Sequence, residues 1–342
     1  MSPQIEAQNL SELQSRLWNI ADTLRGKMNA DEFRDYCLGF IFYKYLSEKF
    51  VTYANNILKE DGIKYNELTA EHPAYQDIID AVKDDSIQTL GYFLPPTDLF
   101  HTMAQRVAKD QKGAGEGFIL EDLATTLRNI EQSTLGTDSA DDFSNLFEDL
   151  DLGSSKLGNT AKAKNELIGK VITELDKLSF NLSEASSDIL GDAYEYLIGQ
   201  FASGAGKKAG EFYTPQPVST LLAKIVTTHK LKLKNVYDPT CGSGSLLLRV
   251  KREASSVGKI YGQEMNRTTY NLARMNMILH GVHYADFEIM QEDTLEHPQH
   301  THLKFDAIVA NPPFSAKWSA SPLFMNDDRF AQYGKLAPSS KA

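Results

Sequence analysis

Only two cysteines, Cys37 and Cys241, occur in 342 residues. That excludes a disulfide-built scaffold and a cysteine-based zinc site, and it suits a reducing compartment. Long apolar runs are missing as well. Leu38–Phe42, the longest near the start, is far below the roughly 20 residues a membrane helix needs. The first ten residues hold Glu6 and no apolar core, so no secretory signal is expected. Neither Gly-x-x-x-x-Gly-Lys-Ser/Thr nor Gly-x-Ser-x-Gly appears, which removes the phosphate-cradling loop and the nucleophile elbow. The eight histidines, His280, His283, His297 and His302 among them, form no His-x-x-x-His pair with a third ligand, so no metal site is expected. A soluble, cytoplasmic chain without a membrane partner is the expectation.

Basic charge is scarce in one half. Residues 1–160 carry 14 Lys and Arg against 27 Asp and Glu, a balance of −13. Residues 161–342 carry 21 against 19, a balance of +2, which together give the net −11 of the chain. Such an acidic chain is no stand-alone DNA clamp, because non-specific affinity for DNA comes from cations neutralising phosphates. What is present is ordinary for a globular protein: 42% hydrophobic and 24% charged residues, in a length that fits about two domains.

The first half reads as helical. Ser11 with Gln14 suggests a capping box before Leu13, Leu17, Ile20 and Leu24, with Gly26 as a stop. Asn29 and Glu32 suggest a second start, leading into Phe33, Cys37, Phe40, Ile41, Tyr45 and Phe50. Helical spacing recurs at 74–83, 97–110, 119–131, 142–149, 163–178 and 187–200, with linker chemistry at 152–160. A division into a helical domain at 1–160, an interaction scaffold, and a catalytic domain at 161–342 is expected. The loop Gly199–Gly210 is solvated in the plain reading; in the sharper one, Lys207 and Lys208 touch a phosphate backbone. From residue 235 strands at 235–238, 259–263, 286–290 and 305–310 alternate with helices at 244–255 and 267–280. That order implies an α/β fold with a parallel, doubly wound sheet.

Two constellations carry chemistry. Asp238-Pro-Thr-Cys-Gly-Ser-Gly244 ends the first strand, and its glycines permit a tight turn and close approach of a ligand. Leu247 stands where a dinucleotide fingerprint wants a third glycine, while Glu264 closes the next strand 20 residues after Gly244. A carboxylate at that offset reaches ribose hydroxyls, so an adenosine ligand is favoured over a plain turn with a surface Glu. Asn311-Pro312-Pro313-Phe314 follows the fourth strand, and its prolines hold a rigid corner at the end of the sheet where ligands bind. The corner suits methylation of an exocyclic amine by a sulfonium. The Asn311 side-chain oxygen and the Pro312 carbonyl would accept both N–H groups, and Phe314 would stack on an extruded base. Positioning would supply most of the acceleration. Gly210-Glu-Phe-Tyr-Thr-Pro215, with its Thr214 hydroxyl, would cover the ligand's amino-acid end. Asp293 ends the third strand, where it would accept from an adenine amine or simply face solvent. Cys241, with no base suggested beside it, is expected to fill a slot in the turn.

These residues resemble an S-adenosylmethionine-dependent amino-methyltransferase, and more narrowly the modification subunit of type I restriction–modification systems. Carrying the resemblance are Ala21–Met28 leading into Leu38–Tyr45, then Gly210–Pro215, Asp238–Gly244, Gly262–Glu264 and Asn311–Phe314. The resemblance implies a Rossmann-like methyltransferase sheet behind an all-helical N-terminal domain. It implies cofactor contacts from Glu211, Phe212, Tyr213, Thr214, Pro215 and Gln216, and from Gly242, Ser243, Gly244, Ser245 and Glu264. Asp238 would support the loop, Asp293 would read the adenine of S-adenosylmethionine, and Asn311, Pro312, Pro313 and Phe314 would handle the target adenine in DNA. The implied partners are DNA, a specificity subunit flanked by two modification subunits, and a restriction subunit. The family's sheet continues beyond Asn-Pro-Pro-Phe, whereas this chain stops 28 residues after Phe314. A C-terminally incomplete sheet, with strand 305–310 at an exposed edge, is therefore expected, along with weak activity in isolation. Competing readings are a non-catalytic assembly subunit, a protein-glutamine or RNA methyltransferase, and, as an outsider, an adenine-dinucleotide oxidoreductase.

Overall fold

A computed structural model describes residues 3–22, 30–110, 118–180, 184–204, 213–230, 232–313 and 317–336. The chain forms two compact units, one of residues 1–206 with 274–287, the other of 207–273 with 288–342.

The first unit is helical. It contains α1 (Pro3–Ala21), α2 (Ala30–Ile57), α3 (Tyr75–Thr89), α4 (Phe100–Asp110), α5 (Leu120–Ser133), α6 (Ala140–Phe143), α7 (Ala161–Asp176) and α8 (Glu184–Gly204). Its described residues hold no strand apart from Phe287, where β3 begins. Helix α2 is the hub. Phe40, Phe42, Tyr43, Leu46 and Phe50 are all fully buried, a pattern too wide for an amphipathic surface helix and suited to one enclosed on all sides. Phe50 sits among Tyr65, Tyr92 and Phe93 with ring centroids 5.4, 5.9 and 5.7 Å away. Gly39 keeps α2 within reach of Leu150, since a Cβ there would come 2.5 Å from the Leu150 side chain.

Each buried tyrosine in this core spends its hydroxyl on a main-chain carbonyl. Tyr43 donates to Asp98 at 2.6 Å, Tyr65 to Leu94 at 2.7 Å, Tyr92 to Leu46 at 2.8 Å and Tyr45 to Ile278 at 2.8 Å. Buried hydroxyls without partners would be costly; here they tie loops to helices. Burial holds these phenols protonated well above their ordinary range, and that of Tyr36 is pushed up to about 12 by burial and the nearby Asp151.

Several local expectations are corrected here. Helix α1 starts at Pro3, so Ser11 lies inside it rather than capping it; the apolar spacing was right, but the helix continues N-terminally of the hydrophobic run. It ends at Ala21, and Gly26 and Asn29 lie outside the described residues. The stretch 142–149 holds only the end of the short α6 followed by turns. The segment 152–160 is anchored: Leu152 and Leu157 are buried, and Thr160 caps α7 by accepting from the Ala163 amide at 3.1 Å. Histidine spacing did not foresee that ligand atoms of His280, Asp192 and Glu195 lie within 4.8 Å of one another. Two of them stand one turn apart on α8, and the third comes from a distant part of the sequence.

The second unit holds α9 (Gln216–Thr227), β1 (Lys232–Asp238), α10 (Ser245–Glu253), β2 (Ser256–Glu264), the first turns of α11 (Arg267–Leu279), β3 (Phe287–Gln291), β4 (Ala307–Ile308) and α12 (Asp328–Ala331). The strands lie in the order β3-β2-β1-β4. Strand β1 is parallel to β2, with Val236 opposite Ile260, and parallel to β4, with Tyr237 opposite Ile308. Parallel neighbours require crossover connections, which α10 supplies between β1 and β2. Helix α9 packs on α10. Strand 305–310 shrinks to two paired residues at the sheet edge, where Ile308 is 58% exposed. Phe305 instead stacks on Tyr237 with centroids 4.6 Å apart, and Asp306 accepts from the Lys230 ammonium and the Lys234 amide.

Candidate active site

The sheet delivers its polar residues to one end. Asp238 terminates β1, Glu264 terminates β2, Asp293 follows β3 and Asn311 follows β4, so parallel pairing brings these C-terminal strand ends side by side. The backbone turns sharply after Asp238. Gly242 has φ +55° and Gly244 φ +77°, left-handed conformations that cost a side-chain-bearing residue about 1 kcal/mol or more. Gly244 caps α10 in a left-handed conformation, so the turn leads straight into a helix N-terminus, where anionic and polar ligand atoms are favoured. Ser243 and Ser245 are buried with their hydroxyls 2.9 Å apart.

Glu264 joins turn to sheet. One carboxylate oxygen accepts from the Gly242 amide at 3.0 Å, the other from the Asn266 amide at 2.8 Å. A carboxylate offers about four acceptor sites, so capacity for a hydroxyl donor remains. Burial raises its pKa, opposed by the amides of Asn266, Gly242 and Met265. Asp238 is fully buried and accepts from the Thr240 amide at 2.9 Å. Burial, partly offset by that bond and reinforced by the Glu264 charge, pushes it up to about 7. Cys241 fills the slot expected of it: a Cβ on Gly262 would lie 3.0 Å from its sulfur, and burial raises its thiol well above the ordinary range.

The Thr214–Pro215 corner meets the Asn-Pro-Pro corner. Asn311 Nδ2 donates to the Oγ1 of buried Thr214 at 3.3 Å. That tether engages the donor end of the amide and leaves its oxygen as the acceptor end. Pro312 and Pro313 are exposed. Tyr213 and Pro215 precede α9 and Gln216 opens it. Glu211, Phe212 and Phe314, like Lys207 and Lys208, lie outside the described residues.

Asp293 makes a different contribution. Its Oδ1 accepts from the amides of Leu295 at 2.8 Å and Glu296 at 3.3 Å, so the carboxylate is held by its own turn. No side-chain bond links it to Glu264; the connection is through the backbone, Glu292 N to Glu264 O at 3.1 Å. Three residues that sequence reasoning missed grip this turn. Thr294 Oγ1 donates to the Pro239 carbonyl. Arg329 donates to the carbonyls of Thr294 at 2.7 Å and Leu295 at 2.8 Å while paired with Asp327. Gln263, fully buried on β2, bonds across the whole turn. The sequence signal available was a glutamine directly before the strand-ending Glu264.

These groups fit an adenosine-type ligand: a glycine turn at a helix N-terminus, with a carboxylate on the neighbouring strand at the ribose offset. Comparison with known proteins points the same way. The N-6 DNA Methylase family model matches residues 185–342, and the HsdM N-terminal domain model matches 13–175. The type I restriction enzyme MpnII methylase subunit of Mycoplasma pneumoniae is 40% identical over 96% of this chain and 63% of its own length. The MjaIX methylase subunit of Methanocaldococcus jannaschii is 27% identical over 96% of this chain and 55% of its own. The crystal structure of a type I restriction-modification system methyltransferase subunit from Streptococcus thermophilus superposes with a TM-score of 0.84 at 42% identity, covering 97% of this chain and 69% of that one. The chain thus spans less than two thirds of the length of the curated relatives it matches. With both family models lying end to end along it and a solved subunit of the same architecture, this chain belongs to the family of type I restriction–modification methyltransferase subunits.

Proposed function

We propose that the chain binds S-adenosylmethionine at the C-terminal ends of β1 and β2 and methylates the exocyclic amine of adenine in DNA, as the modification subunit of a type I complex. The observation that supports this best is the juxtaposition of the Gly242–Gly244 turn, bonded to Glu264, with an Asn311 whose donor end is already tethered to Thr214. When bound, S-adenosylmethionine supplies an electrophilic methyl group on a sulfonium. The chain's own residues do the rest by holding and orienting. Glu264 accepts from ribose hydroxyls while its bonds to Gly242 and Asn266 fix its position. Ser243, Ser245 and the residues Glu211–Gln216 line the remainder of the ligand, and Asp293 accepts from its adenine amine.

At the target, the Asn311 oxygen and the Pro312 carbonyl accept the two N–H groups of the amine. Nitrogen's lone pair is thereby drawn out of conjugation with the ring and directed at the methyl carbon, and Phe314 stacks on the base. The methyl group that the sulfonium would supply there would take the place of one amine proton, which would leave to solvent. Sequence reading falls to a DNA-specificity subunit, in keeping with the −13 balance of residues 1–160. Two modification subunits on one specificity subunit, joined by a restriction subunit in the cytoplasm, complete the proposal.

Calorimetric titration of S-adenosylmethionine into the chain, with Glu264→Ala as control, tests the reading. Binding near micromolar, about −8 kcal/mol, is expected, with roughly tenfold or greater loss in the control, as for a hydrogen bond to a charged group. A folded chain that binds nothing, alone or with a specificity subunit, would sink it and leave an assembly role.

A further inference from the structure

Gln263 is a polar side chain with no solvent exposure, and most of its capacity for hydrogen bonds is spent on a single loop. Its Nε2 donates to the carbonyls of Glu292 at 3.1 Å and His297 at 3.0 Å. Its Oε1 accepts from the Gln299 amide at 3.1 Å and, more weakly, from the Tyr237 hydroxyl at 3.5 Å. Two donors and two acceptor sites are all that a primary amide offers. The same residue's carbonyl accepts from the Cys241 amide at 2.9 Å. Gln263 therefore ties the glycine turn to the loop after β3.

The bonded positions bracket Asp293. Glu292 precedes it, while His297 and Gln299 follow the turn that it opens; His297 N closes that turn on the Asp293 carbonyl at 2.7 Å. With its Oδ1 committed to the amides of Leu295 and Glu296, the Asp293 carboxylate cannot swing independently of the turn. Whatever sets the height and tilt of residues 292–299 sets the remaining oxygen of Asp293. A buried amide is an expensive way to hold a loop that apolar packing would hold equally well, but hydrogen bonds fix direction as well as distance.

We infer that Gln263 is a positioning residue for base selectivity: by pinning the 292–299 turn, it aims Asp293 at the exocyclic amine of the cofactor's adenine. This rests on the proposed function, in which Asp293 accepts from that amine. Loss of Gln263 then leaves a site that still binds ribose and amino-acid parts but no longer distinguishes adenine from an amine-free purine.

The test uses the full chain and two probes, S-adenosylhomocysteine and its analogue with hydrogen in place of the adenine amino group. The wild type is expected to bind the adenine compound about tenfold more tightly, the scale of one charge-assisted hydrogen bond. Gln263→Ala, and the shape-preserving Gln263→Glu that keeps the acceptor for Gln299 but offers the two loop carbonyls at most one donor, should bring the adenine compound to within about twofold of the purine one. Affinity for the purine compound should hold. Melting curves identify a variant that fails to fold, and Gln263→Glu carries the test if Gln263→Ala does. Equal losses for both probes, with discrimination intact, would mean that Gln263 is only structural and overturn the inference. A wild type that binds both probes equally would overturn it too, leaving the cofactor reading standing. A wild type that binds neither would remove both.

Discussion

The two compact units use buried polar groups in opposite ways. In the helical unit, Tyr43, Tyr65 and Tyr92 donate inward to main-chain carbonyls, and their rings fill the core around α2. Polarity there is consumed in joining loops to helices. In the α/β unit, Glu264, Asp293 and Asn311 each spend part of their hydrogen-bonding capacity on the protein and stop at a strand end. The first arrangement makes a rigid scaffold; the second makes groups that are held and still presented. A parallel sheet enforces this, because it gathers several strand ends at one edge without any of them having to be close in sequence.

The comparison is tested hardest at Phe50. Replacing this fully buried ring with Ala should cost about 3–5 kcal/mol, read by denaturant unfolding, with no selective effect on cofactor affinity in the folded fraction. A change of cofactor affinity larger than the loss of folded protein would show that the scaffold is not merely a scaffold. At the presented end, Asn311→Ala should lower methyl transfer by roughly 10²-fold, the scale of losing one preorganised polar contact, with the melting temperature nearly unchanged. Its side chain is half-buried, and among the described residues it bonds to Thr214. If stability falls instead, Asn311 belongs with the tyrosines.

The effect confined to one pH range concerns Asp238. Its folded pKa of about 7 stands above its ordinary 3.8, so the folded state keeps a proton that the unfolded state releases. Any stabilising contribution is complete below about pH 4 and is lost as pH rises through 7. Asp238→Asn keeps the acceptor for Thr240 without that charge. Its melting temperature should gain on the wild type progressively from pH 4 to 7 and hold a constant lead above. A constant difference across that range would show that Asp238 is ionised throughout.

Much of the candidate site could be read from the sequence, because its chemistry is local. Asp238–Gly244 is one contiguous turn, Glu264 is found by counting to the next strand, and two adjacent prolines announce a corner wherever they stand. Helix spacing likewise announced α2, whose aromatic residues cannot be left in water. Errors arose where the deciding partner was remote. Ser11 had the right residue type for a cap, but a helix begins where its chain can continue, and α1 continues to Pro3. Strand 305–310 had the apolar content for a longer strand, yet Phe305 and Asp306 found ring and ion partners and only two residues paired.

The sequence by itself determined which residues could form the glycine turn, the acid and the Asn-Pro-Pro corner, because backbone freedom at glycine, restriction at proline and the charge of a carboxylate are properties of single residues. It also determined that the first half is helical and acidic. Only the tertiary structure decided that Thr214 holds the amide of Asn311, that Arg329 reaches back to the carbonyls of Thr294 and Leu295, and that Gln263 spans the turn behind Asp293. Those are pairings between groups separated by 29 to 97 positions. A hydrogen bond needs its two ends within about 3 Å of one another and in line, a condition that folding alone supplies.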